Sequence, residues 1–305
     1  MCAEQKLHKG QVDIDAALVR RLVAEQFPQW TDLPLERFAS GGTVNAIYRL
    51  GDDMYARLPM TKEWAWSIDN EVKRLPWLRP LIPFDIPEVL GRGTPGAGYP
   101  FAWAVFRWIE GEIWDLAGMR DDREPVLDYA AVVGALRRID PGDFRPRGMA
   151  ALSLRDLDGP IRDATHAARD LVDEPAVLAA WQQAVALPSF DGPYSWVHSD
   201  ISADNLLMRD GRLSAVIDWG SVHVGDPAHD ITPVWGMFPS EQRAVFRDAL
   251  AIDDATWARA RAFALRSVMG MDYYRETQPE RTRACVRTIE AVLADLESDD
   301  CTALS

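Results

Sequence analysis

Apolar and polar positions along the chain change their period near residue 110. Residues 13 to 27, DIDAALVRRLVAEQF, place Ile14, Leu18, Leu22 and Val23 on one face at helical spacing, with an acidic residue where such a helix begins. After Leu35 the period drops to two. An alternating run leads to a small-residue turn at Ser40, Gly41 and Gly42, then a β-branched and aromatic run from Thr43 to Leu50, a GDD turn and another short strand, which together predict an antiparallel meander. Residues 64 to 78 return to helical spacing and carry Glu71, while PFDIPEVLG and YPFAWAVFRWIEG read as two further strands. Beyond RWIEGE, residues 127–139, 160–186, 240–250, 254–275 and 280–297 are mostly Ala, Leu, Arg and Glu with a period near 3.6, so they predict helices. The chain therefore reads as α+β with two lobes: a β-rich one over residues 1–107 and a mainly helical one over 108–305.

One stretch breaks the helical half. In WVHSDISADNLLMRDGRLSAVIDWG, residues 196–220, Asp210-Gly211 stands between two apolar runs, the strongest short-range signal for a tight two-residue hairpin. His198, Asp200 and Asn205 fall in the loop entering that hairpin and Asp218 closes its second strand, so Asn205 and Asp218 come to the same end. Phosphoryl transfer needs a carboxylate to orient the attacking hydroxyl and oxygen ligands for Mg²⁺ on the phosphates, with little covalent help from protein. Asp200 suits the first task; Asn205 and Asp218 suit the second, because hard Mg²⁺ takes a few oxygen donors from protein and keeps the rest from water and phosphate. Each residue alone has a structural explanation as a turn or cap residue. Their order ahead of and behind a correctly placed hairpin favours chemistry.

Composition narrows the partners. A chain of 305 residues with 48% hydrophobic content can bury two closely packed cores. Runs such as Phe101 to Phe106 fall far short of the ~18 apolar residues that span a bilayer, and no basic leader precedes an apolar segment, so a cytoplasmic protein is expected. The three cysteines, Cys2, Cys285 and Cys301, form neither a disulfide framework nor a zinc pattern. A net charge of -14 argues against nucleic acid and anionic membrane as partners, and it favours cationic small molecules. Lysine occurs only at positions 6, 9, 62 and 73.

The segments VHSDISADNLL, VIDWG and GDPAHD, in that order, resemble those of the aminoglycoside phosphotransferase family, which includes macrolide phosphotransferases and has the two-lobed protein-kinase-like fold. The resemblance implies Asp200 as catalytic base, Asn205 and Asp218 as Mg²⁺ ligands, ATP or GTP as phosphate donor, and His198 and Asp230 as supports of the catalytic loop. Ser199 stands where the family usually has glycine, and Ile201 where it often has histidine or leucine. Kinase-like enzymes carry a phosphate-binding lysine on the third strand, but DDMYARLP offers Arg57, with Glu71 as its natural partner and Glu63 as a second choice. Arginine differs from lysine in reach and in the geometry of its planar fork. Ser40, Gly41, Gly42 and Thr43 are placed to cover the nucleotide phosphates, although a plain hairpin turn explains them nearly as well. FRWIEG at 106–111 fits the hinge that meets the purine, where Phe106 and Trp108 either flank the base or pack within the sheet.

For the acceptor, Asp226, Asp230, Trp235 and the acidic helices near Glu241 and Asp272 to Glu276 would suit a cationic aminoglycoside, while DITPVWGMF and MGMDYY offer apolar surface for a macrolide. Asp226, Asp230 and Trp235 serve equally as structural supports. Two other classes stay open: a nucleotide-binding module without turnover, suggested by Arg57 and Ser199, and a metal-dependent phosphohydrolase built on His198, His223, His229, Asp226 and Asp230.

Overall fold

The computed structural model describes residues 10–39, 44–115, 123–146 and 151–303. In chain order its elements begin with α1 (Ala16–Gln26), β1 (Leu35–Phe38), β2 (Asn45–Leu50), β3 (Met54–Pro59), α2 (Trp66–Leu78), β4 (Val89–Gly93), β5 (Trp103–Arg107) and β6 (Glu112–Ile113). There follow α3 (Glu124–Arg138), α4 (Asp158–Ala167), α5 (Glu174–Val185), β7 (Ser195–Val197), β8 (Leu206–Arg209), β9 (Arg212–Val216) and β10 (His223–Gly225). The chain closes with α6 (Val234–Met237), α7 (Ser240–Ala249), α8 (Asp254–Ala264), α9 (Val268–Tyr274) and α10 (Pro279–Ala303). It divides into two compact units, Met1–Trp114 with Asp204–Val222, and Asp115–Ala203 with His223–Ser305. A single cut at residue 107 therefore does not describe the grouping, because β6 pairs with β8 and Asp85 bridges to Ala215, which draws the 206–216 hairpin into the first unit.

In the first unit, five strands form an antiparallel sheet in the order β1-β2-β3-β5-β4. The period-two pattern of β2 and β3 turns Ala46, Tyr48, Leu50, Ala56 and Leu58 into the core, where α1 adds Leu18, Val19, Leu22 and Val23. Asp15 caps α1 by accepting the Leu18 N–H at 2.7 Å, the start signal read from sequence. The buried Tyr48 hydroxyl donates to the Ile14 carbonyl at 2.9 Å, so the helix is tied to the sheet by polar as well as apolar contact. The hairpin β8–β9 turns through Asp210 (φ 53°) and Gly211 (φ 75°), the pair of positive φ values that a two-residue turn of this kind requires.

The second unit is mainly helical, with one short antiparallel pair, β7 with β10, that registers Val197 against His223. α3 buries Val126, Tyr129, Val132, Val133 and Leu136, and the Tyr129 hydroxyl donates to the Asp230 carbonyl at 2.8 Å. Two expected helices are interrupted. Residues 160–186 form α4 and α5, because Asp173 caps a new start by accepting the Ala176 N–H at 3.0 Å, with Pro175 in the first turn. Residues 254–275 form α8 and α9 with a 3₁₀ turn at Leu265–Ser267 between them. No helix among the described residues is long and apolar enough to cross a membrane.

Candidate active site

Arg57 projects from β3 and is 4% exposed, so its guanidinium must find its partners inside the protein. Its Nη1 donates to Glu71 Oε2 on α2 at 2.7 Å, and its Nη2 donates to Asp218 Oδ1 at 2.5 Å. Asn45, which faces it from the start of β2, presents its amide oxygen in the orientation that satisfies both groups, accepting from Nη2 at 2.9 Å and Nε at 3.1 Å. The arginine fork thus joins β2, β3, α2 and the segment after β9. Burial works against its charge, but Asp218 and Glu71 together outweigh burial and hold its pKa above the ordinary value. Glu71 is pushed up to about 7 by burial, with Arg57 opposing the shift.

Helix α2 also fixes the backbone that follows Asp218. Glu71 Oε1 accepts the Trp219 N–H at 2.9 Å, and Asn70 Nδ2 donates to the carbonyls of Gly220 at 3.0 Å and Val222 at 2.8 Å. Gly220 must be glycine for close approach: a Cβ there would lie 2.8 Å from Ser67 Cβ and 3.3 Å from Arg57 Nη2. Asp218 itself adopts a left-handed conformation (φ 59°, ψ 64°), and its side chain stays 35% exposed. The Asn205 carbonyl accepts the Ile217 N–H at 2.9 Å, one step beyond the Leu206–Val216 pair, so Asn205 and Asp218 flank the same end of the hairpin. Two oxygen-bearing side chains at one hairpin end, one of them partly open to solvent, fit the donor set that Mg²⁺ prefers.

Asp200 and His198 belong to the second unit, in the loop after β7. His198 is fully buried, and its backbone N–H donates to Asp230 Oδ2 at 2.8 Å while the Ser199 N–H donates to Oδ1 at 2.7 Å. The Asp200 N–H points to His198 Nδ1 at 3.4 Å, so one carboxylate and one imidazole brace the backbone on the N-terminal side of Asp200. Burial pushes Asp230 up to about 7, against the two backbone N–H groups it accepts. Ser199 takes a left-handed φ of 65°, a conformation that glycine adopts without strain.

The remaining sequence candidates separate. Asp226 is buried and engaged by Arg259, whose Nε reaches Oδ2 at 2.7 Å and whose Nη2 reaches Oδ1 at 3.2 Å. Trp235 is buried, lies tilted against Trp257 with ring centroids 4.7 Å apart, and donates its Nε1–H to Asp295 at 3.3 Å. Phe106 is fully buried against Tyr55 with ring centroids 5.3 Å apart, which commits it to the sheet. Trp108 lies edge-on to Phe38 at 5.1 Å, under the Arg49 guanidinium at 3.9 Å. Ser40, Gly41, Gly42 and Thr43 lie outside the described residues. No group of three or more His, Cys, Asp or Glu among the described residues is arranged to hold a metal ion, which leaves the phosphohydrolase cluster without a geometric basis. Asn45, Asn70 and Arg259 were not singled out in the sequence; a polar residue heading an otherwise buried strand was the one available signal for Asn45.

A family model described as the phosphotransferase enzyme family matches residues 35–263. Among curated relatives, the aminoglycoside 3'-phosphotransferase of Escherichia coli is 27% identical over 219 residues, covering 68% of this chain and 79% of that protein. Among solved structures, the GDP and kanamycin complex of an APH(2″) enzyme superposes with a TM-score of 0.70 at 18% identity, covering 91% of this chain and 98% of that one. Macrolide 2'-phosphotransferase type I gives 0.62 at 18% identity, with 92% and 99% covered. With residues 35–263 of 305 matched, the chain belongs to the phosphotransferase enzyme family and is a small-molecule O-phosphotransferase of the α+β, kinase-like type.

Proposed function

We propose that the enzyme transfers the γ-phosphate of ATP or GTP to a hydroxyl of an aminoglycoside-type or macrolide antibiotic, acting in the cytoplasm. Asp200 orients the acceptor hydroxyl and accepts its proton, and the brace of Asp230 and His198 sets the backbone from which it projects. Arg57, positioned by Glu71 and Asn45, supplies fixed positive charge for the phosphates in place of the usual lysine. Asn205 and Asp218 would hold Mg²⁺, which supplies charge neutralisation on the phosphate oxygens when bound. The observation that carries the reading is the assembly of the buried Arg57 and Glu71 with the partly exposed Asp218: it ties β3 to a carboxylate at the hairpin end that also bears Asn205.

The known relatives support both acceptor classes, since named neighbours include a kanamycin complex and a macrolide phosphotransferase. The test compares nucleotide affinity with transfer in two variants. Asp200→Ala should keep nucleotide affinity within about threefold and lose transfer by at least ~10³-fold; Asp218→Ala should weaken Mg²⁺-dependent nucleotide binding as well. Retained turnover in Asp200→Ala would refute its role.

A further inference from the structure

A cavity of about 250 Å³ lies within the second unit, and none of Asp200, Asn205 or Asp218 lines it. Dry cavities of about 150 Å³ accept a benzene ring, so this one has room for a ring and a small polar group. Aromatic side chains make its walls. Phe190 and Tyr194 meet edge to face at 5.5 Å, and Phe263 stacks on His229 at 4.5 Å.

Three of the polar side chains that line it, His229, Tyr194 and Arg259, keep atoms without a hydrogen bond among the described residues, whereas Arg145, Ser153 and Arg155 are engaged by their own neighbours. The imidazole nitrogens of His229 and the hydroxyl of Tyr194 make no hydrogen bond among the described residues. Arg259 spends Nε and Nη2 on Asp226 and Thr256 and lies over the Phe190 ring at 4.7 Å, which leaves its Nη1 without a hydrogen bond among the described residues. Burial, with His223 and Arg266 adding to it, pushes His229 down to about 3, so the ring is neutral at pH 7 and offers one donor and one acceptor.

Charge around the cavity opposes the charge of the chain. The protein carries -14 overall, yet Asp226, the one carboxylate among the described residues that line the cavity, is neutralised by Arg259, and Arg145 and Arg155 add cations to the lining. Arg266, near enough to act on His229, has its own pKa lowered by burial and forms no hydrogen bond or ion pair among the described residues. Arg266 is half-buried and is not among the side chains that line the cavity, so it adds positive potential at the His229 end without touching a ligand there.

We propose that this cavity is a binding site for a small organic anion with a planar apolar body, an aromatic carboxylate being the simplest case. Its ring lies among Phe190, Tyr194 and Phe263, and its charge meets the end formed by His229 and Arg259. The site is additional to the reacting groups and does not depend on the identity of the acceptor.

The test uses benzoate, benzyl alcohol and benzylamine with the full-length protein, followed by calorimetry and by the imidazole proton signals of its 5 histidines. The His229 signal is assigned with His229→Gln. Benzoate should bind and move the His229 signal, benzyl alcohol should bind about tenfold more weakly, and benzylamine should not compete. Arg266→Gln, which removes a nearby positive charge that does not line the cavity, should weaken benzoate about threefold and leave benzyl alcohol unchanged. Tyr194→Phe, a milder change that keeps the wall, should weaken both ligands by about threefold. Benzylamine binding as tightly as benzoate, an unmoved His229 signal at saturation, no saturable benzoate binding, or folded Arg266→Gln and Tyr194→Phe proteins with unchanged benzoate affinity would each overturn the assignment.

Discussion

Replacing Arg57 with lysine keeps one positive charge on β3 and removes the planar fork. The wild-type guanidinium makes four contacts: one with Glu71 at 2.7 Å, one with Asp218 at 2.5 Å, and two with Asn45 at 2.9 and 3.1 Å. A lysine ammonium is a compact point donor and cannot span two carboxylates and the Asn45 amide at once. Holding both carboxylates leaves the buried Asn45 oxygen without its partner, and turning to Asn45 leaves Glu71, which has no exposure, as an uncompensated charge. Charge-assisted hydrogen bonds contribute about 1.5–3 kcal/mol each, so losing two of four, with partial recovery through solvent at the exposed Asp218, costs about 2–4 kcal/mol. At 1.4 kcal/mol per tenfold, that is a drop of about 30- to 700-fold in amide hydrogen-exchange protection across β2 and β3. The assay is exchange of residues 45–59 in wild type and Arg57→Lys, with α8 as an internal control in the other unit. Protection in β2 and β3 within threefold of wild type would refute the claim that the fork, rather than charge alone, organises this unit.

Three further outcomes follow from the same geometry. Gly220→Ala should destabilise the first unit by about 1–3 kcal/mol in thermal unfolding, because its Cβ would press on Ser67 and Arg57. Ser199→Gly should preserve transfer, whereas Ser199→Val, with a β-branched side chain at φ 65°, should lose at least about tenfold in kcat as the Asp200 loop shifts. Asp230, raised from 3.8 to about 7 by burial, takes up a proton on folding, so its contribution to stability is fully present below about pH 4 and falls as pH rises to 7, by at most on the order of 4 kcal/mol. Denaturant unfolding of Asp230→Asn should lack that slope between pH 4 and 7; an unchanged slope would contradict it.

The parts of this molecule legible in the sequence are those whose cause is local. Asp210-Gly211 fixes its hairpin because both residues accept positive φ, and Asp15 marks the start of α1 because its carboxylate reaches only three residues ahead. The break between α4 and α5 was also local: Asp173 and Pro175 carry a start signal that the continuous alanine and leucine pattern of 160–186 obscures. Asn70 and Arg259 were not legible, since each acquires its meaning from a partner far along the chain, as when Asn70 holds the carbonyls of Gly220 and Val222, whereas Asn45 meets Arg57 across a local hairpin and left only a polar residue at the head of a buried strand as its signal. The grouping of Asp204–Val222 with the first unit was hidden for the same reason: the strand pairing of β6 with β8 joins segments almost a hundred residues apart.

Transfer itself tests the central claim most directly. The protein is incubated with Mg²⁺ and ATP or GTP against aminoglycosides and macrolides, and the products are weighed by mass spectrometry beside Asp200→Ala. The account predicts a gain of about 80 Da, one phosphoryl group, on one acceptor class, absent from the variant. The same gain from Asp200→Ala, or no gain on any acceptor while nucleotide binds, would contradict it.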